Sequence, residues 1–270
     1  MSYDIIIIGG GLGGLTAGAK LSREGKKVLL IEQHDRPGGC ATTFKRGDYT
    51  MEVGLHEIDG PSPIDLKTKL FNELEVFKNV TFIKIPEFYH FVNDRLQITV
   101  PHNPEEAGKI LKEEFPEQKE GIEAYYRHLL YPKKKNDDNE TSKEKSLGEF
   151  LDSIIHNEDL KLVLLGNLGY FHDDPYSISL TYYSAAQARY LNGGGSYIKG
   201  GSQTLSDYLA EYIRKHSGEV VLNHLVTGFI TENGKLTGVT YRKTRGHDPG
   251  TLKAYADEII ANAAMPNIAE

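Results

Sequence analysis

Gly9, Gly11 and Gly14 stand in a G-x-G-x-x-G spacing directly after the run YDIIII. Glu32 follows about twenty residues later, at the end of a second apolar run, KKVLLIE. The chemistry this pattern suits is the binding of a diphosphate joined to a ribose. Glycine at 9 permits a tight turn out of a strand. Glycine at 11 lets backbone come close to the phosphates, and glycine at 14 lets the next helix pack close to the strand. The helix then presents unpaired N–H groups and the positive end of its dipole to the anion. An acid at 32 accepts hydrogen bonds from ribose hydroxyls and disfavours a ligand carrying a 2′-phosphate.

Other chemistries find little footing. The single cysteine, Cys40, excludes an internal disulfide framework and a Cys-rich zinc or iron–sulfur site. There is no H-E-x-x-H and no G-x-S-x-G, so no metal site and no hydrolase elbow are expected. The chain has 270 residues, a net charge of −7 and 39% hydrophobic residues. That describes a globular protein with material for a core, and mild acidity argues against a nucleic-acid partner. No apolar run approaches the ~18 residues of a transmembrane helix. The N-terminus lacks the basic leader of a signal peptide. A reduced cytoplasm is the simplest setting for a chain with one cysteine.

The elements that must position the glycines can be read around them. YDIIII is short, β-branched and apolar throughout, the pattern of a buried parallel strand. LTAGAKLSREG is helical in spacing and closes on Gly25, and KKVLLIE is the second strand. From Pro61 to about Asn192 the pattern changes. IDLKTKLFNELEVF reads as one helix with Ile64, Leu66, Leu70 and Leu74 on its apolar side. VTFIKIP, FYHFVN and LQITVP read as a three-stranded meander, and PEEAGKILKEEF as a helix opened by proline and acids. Tyr131 to Ser146 is the most polar run. It reads as a solvated loop, with membrane-surface contact through Lys133, Lys134 and Lys135 as the alternative. SLGEFLDSIIHNEDLKLVLLGNLGYF reads as helices whose apolar side is either core or the lining of a lipid tunnel. After the glycine-rich crossing GGGSYIKGGSQ come a helix closed by Gly218, the strand EVVLN, a hairpin turning at Asn233-Gly234, and a last strand, ADEIIANAAMP.

Beyond Glu32 stands a second glycine pair, Gly38-Gly39, within IEQHDRPGGCATTF. With it the sequence resembles the flavin amine-oxidase-like FAD proteins. Within them it is most similar to the phytoene desaturase, carotenoid isomerase and retinol saturase group. The segment GDYTMEVGLHEIDG, through Gly54-Leu55-His56, resembles the retinol saturase branch, and YIKGGSQTLSDYLAEYI resembles the segment leading back to the FAD domain. The resemblance covers both ends of the chain well and the middle loosely. It implies that Gly9, Gly11, Leu12, Gly13 and Gly14 border the pyrophosphate of FAD and that Glu32, with Gln33 beside it, takes the ribose. It implies that Gly38, Gly39 and Cys40 pass along the ribityl chain and that Gly54, Leu55 and His56 approach the isoalloxazine ring. Val226, on the strand read as EVVLNHLVTGF, would lie against the adenine. His56 is then the catalytic candidate, positioning a substrate or delivering a proton to it, against the plainer reading of an exposed structural histidine.

The expected architecture is α/β. A discontinuous Rossmann-like FAD-binding domain spans 1–60 and 193–270, and a mixed α+β substrate or lid domain spans the inserted residues 61–192. The expected activity is FAD-dependent oxidoreduction at carbon–carbon double bonds of an apolar polyene or lipid, by desaturation, saturation or isomerisation. A peripheral membrane contact is compatible with such a substrate. Members of this group run to about twice this length and add a second glycine-rich strand–turn–helix with an acid, which is not found here. The chain is therefore expected to be an N-terminal fragment or a truncated form. The alternative function is a non-catalytic FAD- or ADP-binding module that needs a further polypeptide.

Overall fold

The computed structural model describes residues 2–63, 65–131, 145–170, 172–247 and 250–264. They form two compact units. One comprises Met1–Ile58, Leu66–Ile83 and Tyr197–Glu270, the other Asp59–Asp65 and Lys84–Ser196.

The first unit is a Rossmann-like α/β fold. Strand β1 (Ser2–Ile8), helix α1 (Leu12–Arg23) and strand β2 (Val28–Ile31) open it. Helix α2 (Ser202–Lys215) and strands β3 (Glu219–Val221), β4 (His224–Glu232), β5 (Lys235–Lys243) and β6 (Leu252–Ala261) complete it. The sheet order is β3-β2-β1-β6-β5-β4. β3, β2, β1 and β6 run parallel, whereas β4, β5 and β6 form an antiparallel meander. Ile5 and Ile7 of β1 enter one core and Ile6 and Ile8 the other. This is why an unbroken isoleucine run suits a strand covered on both faces. Each such buried isoleucine contributes about 1.5–3 kcal/mol. One face is covered by α1 and α2 through Leu15, Ala19, Leu205, Leu209 and Ile213. A Cβ on Gly18 would lie 2.8 Å from Ile213 Cδ1, so that glycine sets how closely α1 and α2 approach. The turn between β4 and β5 has positive φ at both Asn233 (51°) and Gly234 (76°), the geometry expected of a two-residue hairpin of this composition.

β6 changes partner along its length. Leu252–Tyr255 pair with β5, and Tyr255–Ala261 pair with β1. Beyond Tyr255, the edge of β6 away from β1 carries no strand among the described residues.

The second unit is mixed α+β. A hairpin, Glu87–Val92 with Gln97–Pro101, and helices Pro104–Glu114, Lys119–Leu130, Leu147–Ile154, Glu158–Leu164 and Leu180–Gly193 share one core. The helix starts follow their residues. Asn103 accepts from the N–H groups of Glu105 and Glu106 ahead of Pro104, and Ser146 and Glu149 form a reciprocal capping box. Leu147, Leu151, Leu160, Val163 and Leu164 are buried in that core, whereas Leu162 and Tyr170 of the same region are exposed.

Two local readings change. The predicted helix from Ile64 divides into Leu66–Glu73 and Val76–Asn79, because Glu75 takes a left-handed φ of 56°. Its inward face is Thr68, Phe71 and Leu74, which leaves Leu66 exposed. Phe82–Ile85 stands outside the 87–101 hairpin, so the meander has two strands rather than three. Phe82 is instead drawn into an aromatic cluster with Phe71 and Phe77, at centroid distances of 6.4 and 5.2 Å. The polar run from Tyr131 to Ser146, with Lys133, Lys134 and Lys135, falls almost wholly outside the described residues. No helix among the described residues is long and apolar enough to cross a membrane.

Candidate dinucleotide site

The glycine loop joins β1 to α1 and is shaped by close backbone contacts. Gly9 has φ 98°, and a Cβ there would lie 2.3 Å from the carbonyl oxygen of Asn262. A Cβ on Gly14 would lie 2.2 Å from the Gly9 carbonyl oxygen and 3.3 Å from Ile7 Cγ2. Gly14 is therefore what lets α1 start directly against β1. Helix α1 has Gly11 at its N-cap, with no side-chain cap and no acidic residue in its first turn. Its leading N–H groups are thus left for an anion.

Glu32 is buried at the end of β2. Its Oε2 accepts the Gly10 N–H at 2.6 Å and its Oε1 accepts the His34 N–H at 2.8 Å. Each oxygen retains acceptor capacity for a hydroxyl donor. Gln33 beside it is exposed, and its carbonyl accepts from the Thr244 hydroxyl at 3.0 Å. The start of β4 is held here too, since His224 N–H donates to the Glu32 carbonyl at 2.9 Å. Val226, two residues on, is half-buried in the core under the meander.

The second glycine pair packs on the first. Gly38 N–H donates to the Gly10 carbonyl at 2.7 Å, and a Cβ on Gly39 would lie 3.2 Å from Gly11 Cα. Helix α2 braces this contact. The Ser206 hydroxyl donates to the Ala41 carbonyl at 2.7 Å, and Gln203 Nε2 donates to the Pro37 carbonyl at 3.0 Å. Cys40 is exposed, and a Cβ on Gly54 would lie 3.2 Å from its Cβ. Leu55 packs against the core beneath α1 and α2, and His56 is exposed, its N–H donating to the Gly54 carbonyl at 3.2 Å. The structure thus brings together Gly9, Gly11, Leu12, Gly13, Gly14, Glu32, Gly38 and Gly39, with Cys40 and Gly54 touching each other.

Residues 7–74 match the family model described as NAD(P)-binding Rossmann-like domain. An all-trans-retinol 13,14-reductase of Danio rerio is 28% identical over 272 residues, 86% of this chain and 43% of that relative. A chloroplastic prolycopene isomerase of Daucus carota is 27% identical over 291 residues, 97% of this chain and 46% of that relative. The chain is a homologue of both. An oxidoreductase from Methanosarcina mazei has a TM-score of 0.70 at 18% identity, over 97% of this chain and 58% of that one. That likeness is one of fold. The chain spans about half the length of the curated relatives it matches. This homology agrees with the resemblance carried by the two glycine segments and by Gly54-Leu55-His56.

Three participants escape a reading of motifs. Gly10 holds the Glu32 carboxylate through its N–H. Glu52, on the strand Tyr49–Glu52, accepts from the N–H of Ser202 at 3.0 Å and from its hydroxyl at 2.5 Å, capping α2 from a distance. Asn262, just past β6, sits among the loop glycines. Each lies far along the chain from its partner or acts through backbone, which leaves no local spacing to read.

Proposed function

We propose that the chain forms the dinucleotide-binding part of an FAD-dependent oxidoreductase acting on carbon–carbon double bonds of an apolar polyene or lipid. The observation that carries this is the buried Glu32 carboxylate fixed against an uncapped, glycine-built helix start. The chain's residues fit the group. Gly9, Gly11, Leu12, Gly13 and Gly14 would border the pyrophosphate, Glu32 and Gln33 the ribose, and Val226 the adenine. The second pair, Gly38-Gly39, packs on the first loop and would continue a backbone-lined path beyond it, which supports FAD rather than NAD. Gly38, Gly39 and Cys40 would follow the ribityl chain, with Gly54, Leu55 and His56 toward the ring. Bound FAD would supply hydride exchange with a substrate carbon. His56 would orient the substrate or move a proton to it. The segments 1–60 and 193–270 would serve the cofactor and 61–192 the substrate side, although Leu66–Ile83 belongs to the first compact unit. The names of the relatives, a retinol reductase and a prolycopene isomerase, support a polyene and leave saturation, desaturation and isomerisation all within the reading. A peripheral membrane contact suits such a substrate.

A second reading has its own support in the edge of β6 beyond Tyr255, which carries no strand among the described residues. Ile259 and Ile260 pack into opposite cores there, as in an interior strand. In this reading the chain is an FAD- or ADP-binding module whose sheet is completed by further polypeptide. An absorbance titration of the 270-residue chain with FAD, then with ADP, tests both. Stoichiometric FAD binding with a shifted flavin band supports the enzyme reading. ADP binding with a flavin spectrum like that of free FAD supports the module. Binding of neither overturns both.

A further inference from the structure

The fingerprint gives a reason for glycine at 9, 11 and 14 but none for glycine at 13. Gly13 lies in the first turn of α1 and has no left-handed φ. Alanine would be the better helix former there. What excludes a side chain is Asn262. A Cβ on Gly13 would lie 2.7 Å from Asn262 Oδ1, and the other two atoms nearest to it also belong to the Asn262 carboxamide. The same carboxamide stands over the neighbouring glycines, with Nδ2 3.3 Å from a Cβ on Gly11 and 3.1 Å from one on Gly14. Asn262 is itself held. Its N–H donates to the Ile8 carbonyl at 2.8 Å, continuing the β1–β6 ladder, and its Nδ2 donates to the Gly9 carbonyl at 3.4 Å.

We infer that Asn262 is a positioning residue of the dinucleotide site. Its carboxamide holds the Gly9–Gly14 turn in the shape that receives a diphosphate, and Gly13 is glycine to admit it. The inference rests on the reading of this loop as the FAD pyrophosphate site. It explains why the end of β6, some 250 residues from the loop, belongs to the site. It also explains why the residue is a neutral amide. A carboxylate at that place would set a negative charge beside the bound phosphates, as well as losing the donor to Gly9.

The test is a two-by-two series of Gly13→Ala and Asn262→Ala in the full chain. Its readouts are ADP and FAD dissociation constants by calorimetry and the melting temperature of the ligand-free chain. Asn262→Ala alone is expected to weaken ADP binding about tenfold, the equivalent of one lost hydrogen-bonding contribution. The melting temperature should move little, because the ladder bond is made by backbone. Gly13→Ala is expected to weaken binding and lower the melting temperature in the native background. It should do neither in the Asn262→Ala background, a non-additivity expected of residues in contact. Asn262→Asp should bind ADP more weakly at pH 7 than at pH 5. ADP affinity unchanged in Asn262→Ala, or Gly13→Ala equally harmful in both backgrounds, overturns the inference. Should Asn262→Ala not fold, Asn262→Ser takes its place in the series. A native chain that binds neither ADP nor FAD instead overturns the reading of the site on which the inference rests.

Discussion

The Glu32 carboxylate accepts the backbone N–H of Gly10 at 2.6 Å and so ties the end of β2 to the glycine loop across 22 residues of sequence. The acid that would hold a ribose is also the acid that fixes the loop beside it. With its second oxygen on the His34 N–H, each carboxylate oxygen is anchored by one backbone donor while buried and keeps a lone pair for a further donor. If Glu32 takes the ribose as proposed, binding and folding are coupled at one side chain.

That coupling sets the behaviour of variants at 32. Glu32→Ala leaves the Gly10 N–H without its partner inside the fold, at a cost of about 1.5–3 kcal/mol for a charge-assisted bond. The same change removes the proposed ribose acceptor, so ADP affinity is expected to fall at least about tenfold. Glu32→Gln keeps one acceptor oxygen but turns an NH2 toward the other N–H. It should fall between native and alanine in both respects. Urea unfolding and ADP calorimetry on the three proteins measure the two effects side by side.

A similar division of labour appears at Glu52 and Ser202. Gly201, the N-cap of α2, offers no side chain, and the cap comes instead from a carboxylate 150 residues earlier. Glu52→Ala is expected to destabilise the first unit by about 1–2 kcal/mol, the usual loss of a cap. Hydrogen exchange should rise first at the amides of Ser202 and its successors. Ser202→Ala removes only the hydroxyl donor and should cost less. Equal protection of these amides in native and Glu52→Ala proteins would show that Glu52 is not their cap.

Much of this fold is legible along the chain. The isoleucine run, the glycine spacing, Glu32 and the Asn233-Gly234 turn each reflect a local rule: a buried parallel strand, a turn without side chains, an acid at a set distance, a two-residue hairpin. The parts that escape are those settled between distant segments. Asn262 and Glu52 act on residues far from them in sequence, and nothing in ANAAM or TMEVG marks either as part of a site. Phe82 illustrates the same point for folding. Its strand pattern suggested the meander, yet its ring is claimed by Phe71 and Phe77. Local alternation specifies a strand without specifying its neighbour.

In the second unit, His128 gives a pH dependence of known sign. Burial against Phe150, with ring centroids 4.6 Å apart, pushes its pKa below the usual histidine value. The folded state therefore favours the neutral ring. Its contribution is present above the unfolded pKa of about 6.5 and is lost as pH falls through the folded value. Melting temperatures measured from pH 8 to pH 5 should thus fall more steeply in the native protein than in His128→Phe. Parallel curves for the two proteins would exclude His128 as a source of acid sensitivity.

Cys40 offers the most direct view of where a flavin would lie. It is the chain's single thiol, it is exposed, and it sits between the second glycine pair and Gly54. Its reaction with an aromatic disulfide reagent is therefore expected to be complete and monophasic in the ligand-free chain. In the proposed binding mode ADP would reach only the loop and Glu32, and should leave that rate unchanged. FAD carries a ribityl chain and ring beyond the pyrophosphate. If these follow Gly38, Gly39 and Cys40, FAD should slow the reaction in proportion to site occupancy. Protection by ADP as well would point to closure of the Gly38–Ala41 turn on nucleotide binding rather than to contact with the ribityl chain. FAD binding with no protection would move the ribityl path away from Cys40 while leaving the pyrophosphate site in place. A Cys40→Ser chain that still binds FAD would show that the thiol reports on the path without holding the cofactor.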